Sequence, residues 1–280
     1  TSGEFNPIET RVPGFQFSEH LPQLSKQAQQ LAVIRSLSTK EGDHGRGSFL
    51  MRTGHQPSGP IRFPTIGSSL SKALGQEDAE LPNYVAISPY RAFNREAYNP
   101  GFLGPKYAAL TVAAADNFQQ QVQTPNADSY AELGVDDLNP PARITTDQAD
   151  GRLDLWRSLQ DDFLARRGSA SPIAHDTVYR RAVRMMRSEA AKAFDLSQEK
   201  DAIRDAYGRG RFGQGCLMAR RLVERGVPFV EVSLSGAGNG ALGWDTHQQN
   251  FARVRSLSEE LDAGWGTLMS DFAERGLLGG

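Results

Sequence analysis

Apolar and polar positions alternate between two periods along this chain, and the alternation itself predicts an α/β fold. Residues 18–30, "SEHLPQLSKQAQQ", have helical spacing, and "LAVIRSL" (31–37) follows as a short buried strand. A polar turn leads to a short helix over 46–54 that Gly54 closes. Thr65 and Gly75 bracket another helix as N-cap and stop, and "YVAIS" (84–88) gives a second strand. Helical periodicity returns over 151–167, where Leu153, Trp156, Leu159 and Phe163 share a face. Ser171-Pro172 opens a helix running to about Ala193, and 212–226 forms the next one. "VPFVEVSL" (227–234) is nearly continuous in apolar residues, which predicts a strand buried on both faces. The last apolar series, Phe251 to Phe272, spaces a helix over 247–274.

Two stretches, 89–106 and 119–150, interrupt this rhythm. Pro, Gly, Asn and polar residues dominate them, so they are expected as loop-rich excursions over the surface of a single domain spanning 1–280. The basic run "RRAVRMMR" (180–187) reads as a solvated helix face.

Composition narrows the partners. The 280 residues carry a formal charge of -2, from 31 basic and 33 acidic residues, so no global field favours nucleic acid. No apolar run reaches the roughly 20 residues of a membrane span. One cysteine excludes an internal disulfide framework. The chain starts at Thr1 and stops just after a helix, and both ends read as cuts, so a fragment is expected.

Three motifs could carry chemistry. Gly208, Gly210 and Gly213 have dinucleotide-fingerprint spacing, but a helix rather than a strand precedes them, so a glycine-rich turn between helices is the better reading. "EGDHGRGSFLMRTGH" (41–55) places Asp43, His44, Arg46 and Ser48 after a strand and at a helix start, where α/β folds bind ligands and where an anion meets free N–H groups. The bland alternative makes Asp43 a helix cap and His44 a surface residue. "GWDTHQQNF" puts Asp245 and His247 after the strand 227–234. Both are first-choice ligands for a zinc-like ion. Asp245 as N-cap with Gln248 at N3 is the competing reading, and the residues alone favour it. His20, His55 and His175 read as surface or capping residues.

These stretches, together with "FSEHLPQLSKQAQQLAVIRSLST" and "FGQGCLMARRLVERGVPFVEV", resemble a bacterial family catalogued as domain of unknown function fifteen-oh-one. The resemblance covers nearly the whole chain, with the motifs in the family's order. It implies placement in the alkaline phosphatase and sulfatase superfamily, with a sheet flanked by helices on both faces, incomplete here. It further implies an exported, metal-dependent hydrolase of sulfate or phosphate esters, acting on a small-molecule or carbohydrate ester in the periplasm or outside the cell. By the same resemblance Asp43, His44, Asp245 and His247 are expected as ligands of a divalent metal such as zinc or calcium. Arg46 is expected as an oxyanion clamp, with His44 and Ser48 near the chemistry. Counting back from Thr53, His44 occupies the position where related sulfatases carry a cysteine or serine nucleophile. Further ligands are expected outside these residues, so this chain alone is expected to be inactive. A non-catalytic protein that keeps the fold and binds a carbohydrate or cell-envelope partner is the rival reading.

Overall fold

The structure is a computed structural model that describes residues 3–114, 129–136, 138, 143–167, 170–234 and 243–279. A small antiparallel hairpin, β1 (Pro7–Glu9) with β2 (Gln16–Ser18), opens the fold. Helices α1 (Pro22–Lys26), α2 (His44–Thr53) and α3 (Ile66–Leu74) follow, then β3 (Tyr84–Ile87) and β4 (Leu110–Val112). Next come α4 (Thr146–Arg167), α5 (Ala170–Met186), α6 (Asp201–Tyr207) and α7 (Arg211–Val223). β5 (Phe229–Val232) and α8 (Asn250–Glu274) complete the described fold.

The parallel sheet has the order β4-β3-β5. β3 is its centre and all four of its residues are buried. Its register sets Tyr84 beside Phe229 and Ile87 beside Val232. Because side chains alternate along a strand, these two pairs face opposite ways. Gly67 of α3 lies against Tyr84 and Phe229, where a Cβ would sit only 2.5 Å from the tyrosine ring. Gly215 of α7 lies against Val232 and Ile87 on the other face. Helices therefore cover both faces, and small residues let them approach.

Two strand expectations are corrected. β5 is an edge strand among the described residues, with every residue half-buried, rather than an interior strand. Its apolar run reflects helices on both sides, a pattern that does not distinguish edge from centre. Residues 31–37 form no strand, and Val33, Ile34 and Leu37 are exposed. A strand needs a neighbour's backbone, and no described strand pairs with this stretch. The helix expected over 18–30 is shorter, α1 plus a 3₁₀ turn at Ala28–Gln30. His20 precedes it, packed edge-on against Phe5 with ring centroids 4.5 Å apart.

Of the loop-rich stretches, 89–106 holds only short 3₁₀ turns, as expected. The start of 119–150 lies outside the described residues, and its end is already helical from Thr146. Leu133 is buried, so this excursion contributes to the core as well as to the surface. The glycines at 208–213 do form a turn between helices. Gly208 takes φ +90°, and a Cβ on Gly213 would meet the Tyr207 carbonyl at 2.0 Å.

Helix α7 is the centre of the core and buries even Arg220 and Arg221. Glu199 accepts from both, at 2.6 Å from Arg220 and 2.5 Å from Arg221, and Asp271 adds a 3.1 Å contact to Arg220. Helix α8 supplies two caps across the fold. Asp262 accepts from the backbone N–H groups of Gln23 and Leu24 at the start of α1. Glu260 accepts from Phe212 N–H at the start of α7, whose own N-cap, Gly210, has no side chain to offer.

Burial pushes the Glu260 carboxyl up from its ordinary 4.5 to about 6, with the Phe212 bond holding it back. A folded pKa above the unfolded one favours the protonated form. Stability from this group is therefore full below about 4.5 and is lost as pH rises through about 6. Glu260→Gln is expected to stabilise the fold by about 1 kcal/mol at pH 7.5 and to change little at pH 4. Urea unfolding at the two pH values checks this, and a variant less stable at pH 7.5 would show that the charged cap outweighs its burial.

Candidate functional site

The first turn of α2 is built to hold one imidazole in place. Asp43 is the N-cap, accepting from the Arg46 backbone N–H at 2.9 Å, and Gly54 closes the helix at φ +74°. The helix start packs on the 89–99 stretch. Asn94 donates its side-chain amide to the Gly45 carbonyl at 2.9 Å, and a Cβ on Gly45 would sit 2.8 Å from the Phe93 carbonyl. Close approach at Gly45 brings the His44 ring flat onto Phe93, with centroids 4.6 Å apart and planes 16° from parallel.

The second stretch, 243–249, is a tight, strained turn. His247 and Gln249 both adopt left-handed backbone, at φ 36° and 53°. The Gln248 N–H closes onto the Thr246 carbonyl. Thr246 is buried, donates to Asn250 at 2.6 Å, and its carbonyl accepts from Arg253. Helix α8 starts only at Asn250, with Gln249 as its cap. Asp245 is thus not the N-cap of the following helix, and the capping-box reading is overturned. Two left-handed residues separate Asp245 from the helix, a feature that residue preference does not reveal.

Freed from capping, Asp245 meets both histidines. His44 Nε2 lies 2.8 Å from Asp245 Oδ2, and His247 Nε2 lies 2.8 Å from the same oxygen. The two nitrogens are therefore at most twice that distance apart, 5.6 Å, well inside the ~10 Å expected of a shared site. The imidazoles are 54% and 72% exposed and the carboxylate 25%, so the group faces solvent while the aspartate is held by its surroundings. Its location agrees with the sheet. The chain leaves β3 toward β4 and returns across β3 to β5, so the strand order reverses between β3 and β5. The stretches bearing Phe93 and Asp245 follow the carboxyl ends of those two strands, where open α/β sheets bind ligands.

The other expected site residues stand differently. Asp43 is engaged as the helix cap. The Arg46 guanidinium makes two 2.8 Å hydrogen bonds to Glu41, which hold its pKa above the ordinary value. Ser48, one turn below His44, lines a shallow groove of ≈ 480 Å³ with Glu41, Asp43, His44, Met51 and Tyr98.

The sequence reading missed the fastening that joins the two halves. Arg52 of α2 pairs with Glu231 of β5, donates to the Ala97 carbonyl at 3.0 Å, and stacks 3.7 Å over the Tyr98 ring. Tyr84 donates to Glu231 at 2.9 Å. Burial alone would lower the Arg52 pKa, but the bond and charge of Glu231 outweigh it and raise it. Burial first, then the charge of Glu231, raises that of Tyr84. The lone acid in an apolar strand was the available signal. Arg52→Met is expected to cost about 1.5–3 kcal/mol, because it leaves Glu231 half-buried without its cation. Thermal unfolding checks this, and an unchanged melting temperature would mean that α2 is held by the 89–99 stretch alone.

A sequence model of the family described as "Protein of unknown function (DUF1501)" matches residues 1–279. The chain belongs to the DUF1501 family. No curated protein and no solved structure matches it.

Whether the DUF1501 site suits a cation depends on its donors. Two imidazole nitrogens and a carboxylate oxygen are the donor set of a zinc-like ion. In this arrangement the carboxylate oxygen lies between the two nitrogens, so the donors touch one another. Among the described residues no three such side chains already surround a common point. The two imidazoles are the exposed members, although the His44 ring is stacked on Phe93. The donors fit such an ion in kind, with reorientation.

Proposed function

We propose that this DUF1501 chain belongs to a divalent-metal-dependent hydrolase of phosphate or sulfate esters, with His44, Asp245 and His247 as protein ligands. The observation that carries the reading is the convergence of His44 with Asp245 and His247, some two hundred residues further along the chain, at the edge beyond the ends of β3 and β5. When bound, the cation would supply Lewis acidity toward the ester oxygen and acidify a water. The chain's own parts do the rest. Phe93 fixes the plane of the His44 ring, and the strained turn at 246–249 presents Asp245. The groove beside Ser48 and Tyr98 offers room for the organic part of an ester. Arg46 can contact a transferred group only by leaving Glu41. We include in this reading the superfamily placement and an exported location.

A second reading, a non-catalytic binder of carbohydrate or envelope material, draws on one observation and one implication of the resemblance. By the resemblance His44 would stand where related sulfatases carry a nucleophile, and the guanidinium of Arg46 is already bonded to Glu41. Metal content and hydrolysis of aryl phosphate and aryl sulfate, measured on the protein as its host makes it, separate the two. Stoichiometric metal with metal-dependent turnover supports the hydrolase. Metal without turnover supports the binder, and absence of both defeats the metal reading.

A further inference from the structure

The basic run 180–187 is not wholly a solvated face. Arg181 of α5 is half-buried, and its guanidinium donates to the Lys106 carbonyl. Among the described residues no carboxylate pairs with it, and the charge acting on it is that of Arg184, one turn further along the same helix. Burial and that like charge both lower its pKa, yet an arginine stays charged. A cation with several donors is thus left without an anion. Beside it lies a cavity of ≈ 130 Å³ with mainly apolar walls, among them Leu81, Pro105, Leu110, Val178 and Met185. The chain lines this cavity just before β3 and on entering β4, so it lies at the amino edge of the sheet. His44, Asp245 and His247 gather at the opposite, carboxyl edge.

We propose that this cavity binds a small aromatic monocarboxylate of the size of benzoate, with its carboxylate on Arg181 and its ring between the apolar walls. Two features select that chemistry. A dry cavity of about 150 Å³ holds one benzene ring, and this cavity is of comparable volume. One planar guanidinium matches one planar carboxylate through two parallel hydrogen bonds. A phosphate dianion calls for more positive charge than a single arginine supplies. Glu80 also lines the cavity, but its carboxylate is exposed and accepts from the Ser188 hydroxyl at 2.5 Å. Arg181 further borders a polar hollow of ≈ 60 Å³, where Lys106 pairs with Glu77 and Lys72 adds positive charge. The bound acid would match the cation that the fold leaves unmatched. It would also tie α5 to the segments that enter β3 and β4.

Calorimetric titration of the whole chain tests it, with benzoate as the probe and benzamide, acetate and inorganic phosphate as comparisons. Benzoate is expected to bind with a Kd on the order of 1 mM or tighter, within the bounds for so small a ligand. Benzamide keeps the ring without the charge, and acetate keeps the charge without the ring. Each should bind at least about tenfold more weakly. Arg181→Gln should lose at least about tenfold in benzoate affinity. Its melting temperature should change little, because no carboxylate depends on this arginine. Ala182→Leu enlarges the cavity wall from an exposed helix position, and it should weaken benzoate binding while leaving Arg181 in place. No benzoate binding up to about 10 mM, equal affinity for benzamide, or unchanged affinity in Arg181→Gln overturns the proposal. Phosphate binding as tight as that of benzoate would overturn it too, since the cation would then select charge without the apolar body.

Discussion

Glu199→Ala is expected to destabilise the fold by about 3–5 kcal/mol, the range for removing one partner of a buried ion pair. Arg220 and Arg221 are 2% and 7% exposed at their side chains, and Glu199 bonds both. Without it, two guanidinium groups on the most buried helix lose their shared carboxylate. Asp271 and the Ala193 carbonyl remain as partial substitutes. Burial raises the Glu199 pKa, but hydrogen bonds from Arg221 and Arg220 overcome that and lower it. A lowered folded pKa gives stability that is present above the unfolded value of 4.5 and is lost as pH falls through the folded value. The gap between Glu199→Ala and wild type should therefore narrow in acid. Urea unfolding at pH 7 and pH 3.5 measures both effects. A variant within about 1 kcal/mol of wild type at pH 7 would mean that solvent already compensates these arginines.

The second large effect is expected at the site. Asp245→Ala should lower divalent-cation affinity by more than about 100-fold, since losing even an outer partner of a ligand costs about 10–100-fold. Asp245 touches both imidazoles, so its removal also frees them from their mutual arrangement. Any hydrolysis by the protein as its host makes it should fall in parallel. The melting temperature without cation should change little, because the turn is also held by Thr246, Asn250 and Arg253. Calorimetric titration with zinc checks this, and affinity within about threefold of wild type would remove Asp245 from the ligand set.

Local signals were legible where the chain's own neighbours decide the outcome. Thr65 and Gly75 do bound α3, and "YVAIS" does give the central strand. Asp43 caps α2, because an N-cap needs only the next few backbone N–H groups. Asp245 fits the same local rule yet caps nothing, because its turn is shaped by the buried Thr246 and by Arg253 further along the chain. The convergence of His44 with His247 was legible for a different reason. Placing each stretch after a strand fixes its edge of the sheet, whatever the local turn does. That reasoning holds for Asp245 and His247, which follow β5, but fails for His44, since 31–37 forms no strand and His44 reaches the same edge by stacking on Phe93 after β3. Partnership at a distance was not legible. Glu260 and Asp262 cap helices through backbone N–H groups 48 residues and more than 200 residues away, and Arg52 finds Glu231 across the fold. Such contacts depend on packing, which periodicity does not encode. The exposed stretch 31–37 is the same lesson reversed, since an apolar pattern cannot supply the neighbour a strand requires.

The proposed hydrolase requires one cation held by His44, Asp245 and His247. Crystals grown with zinc, measured on either side of the zinc absorption edge, test that directly. An anomalous peak bounded by the two imidazoles and the Asp245 carboxylate, lost in His44→Ala, is expected. A peak only elsewhere, or none with the three side chains still in mutual contact as found here, would contradict it.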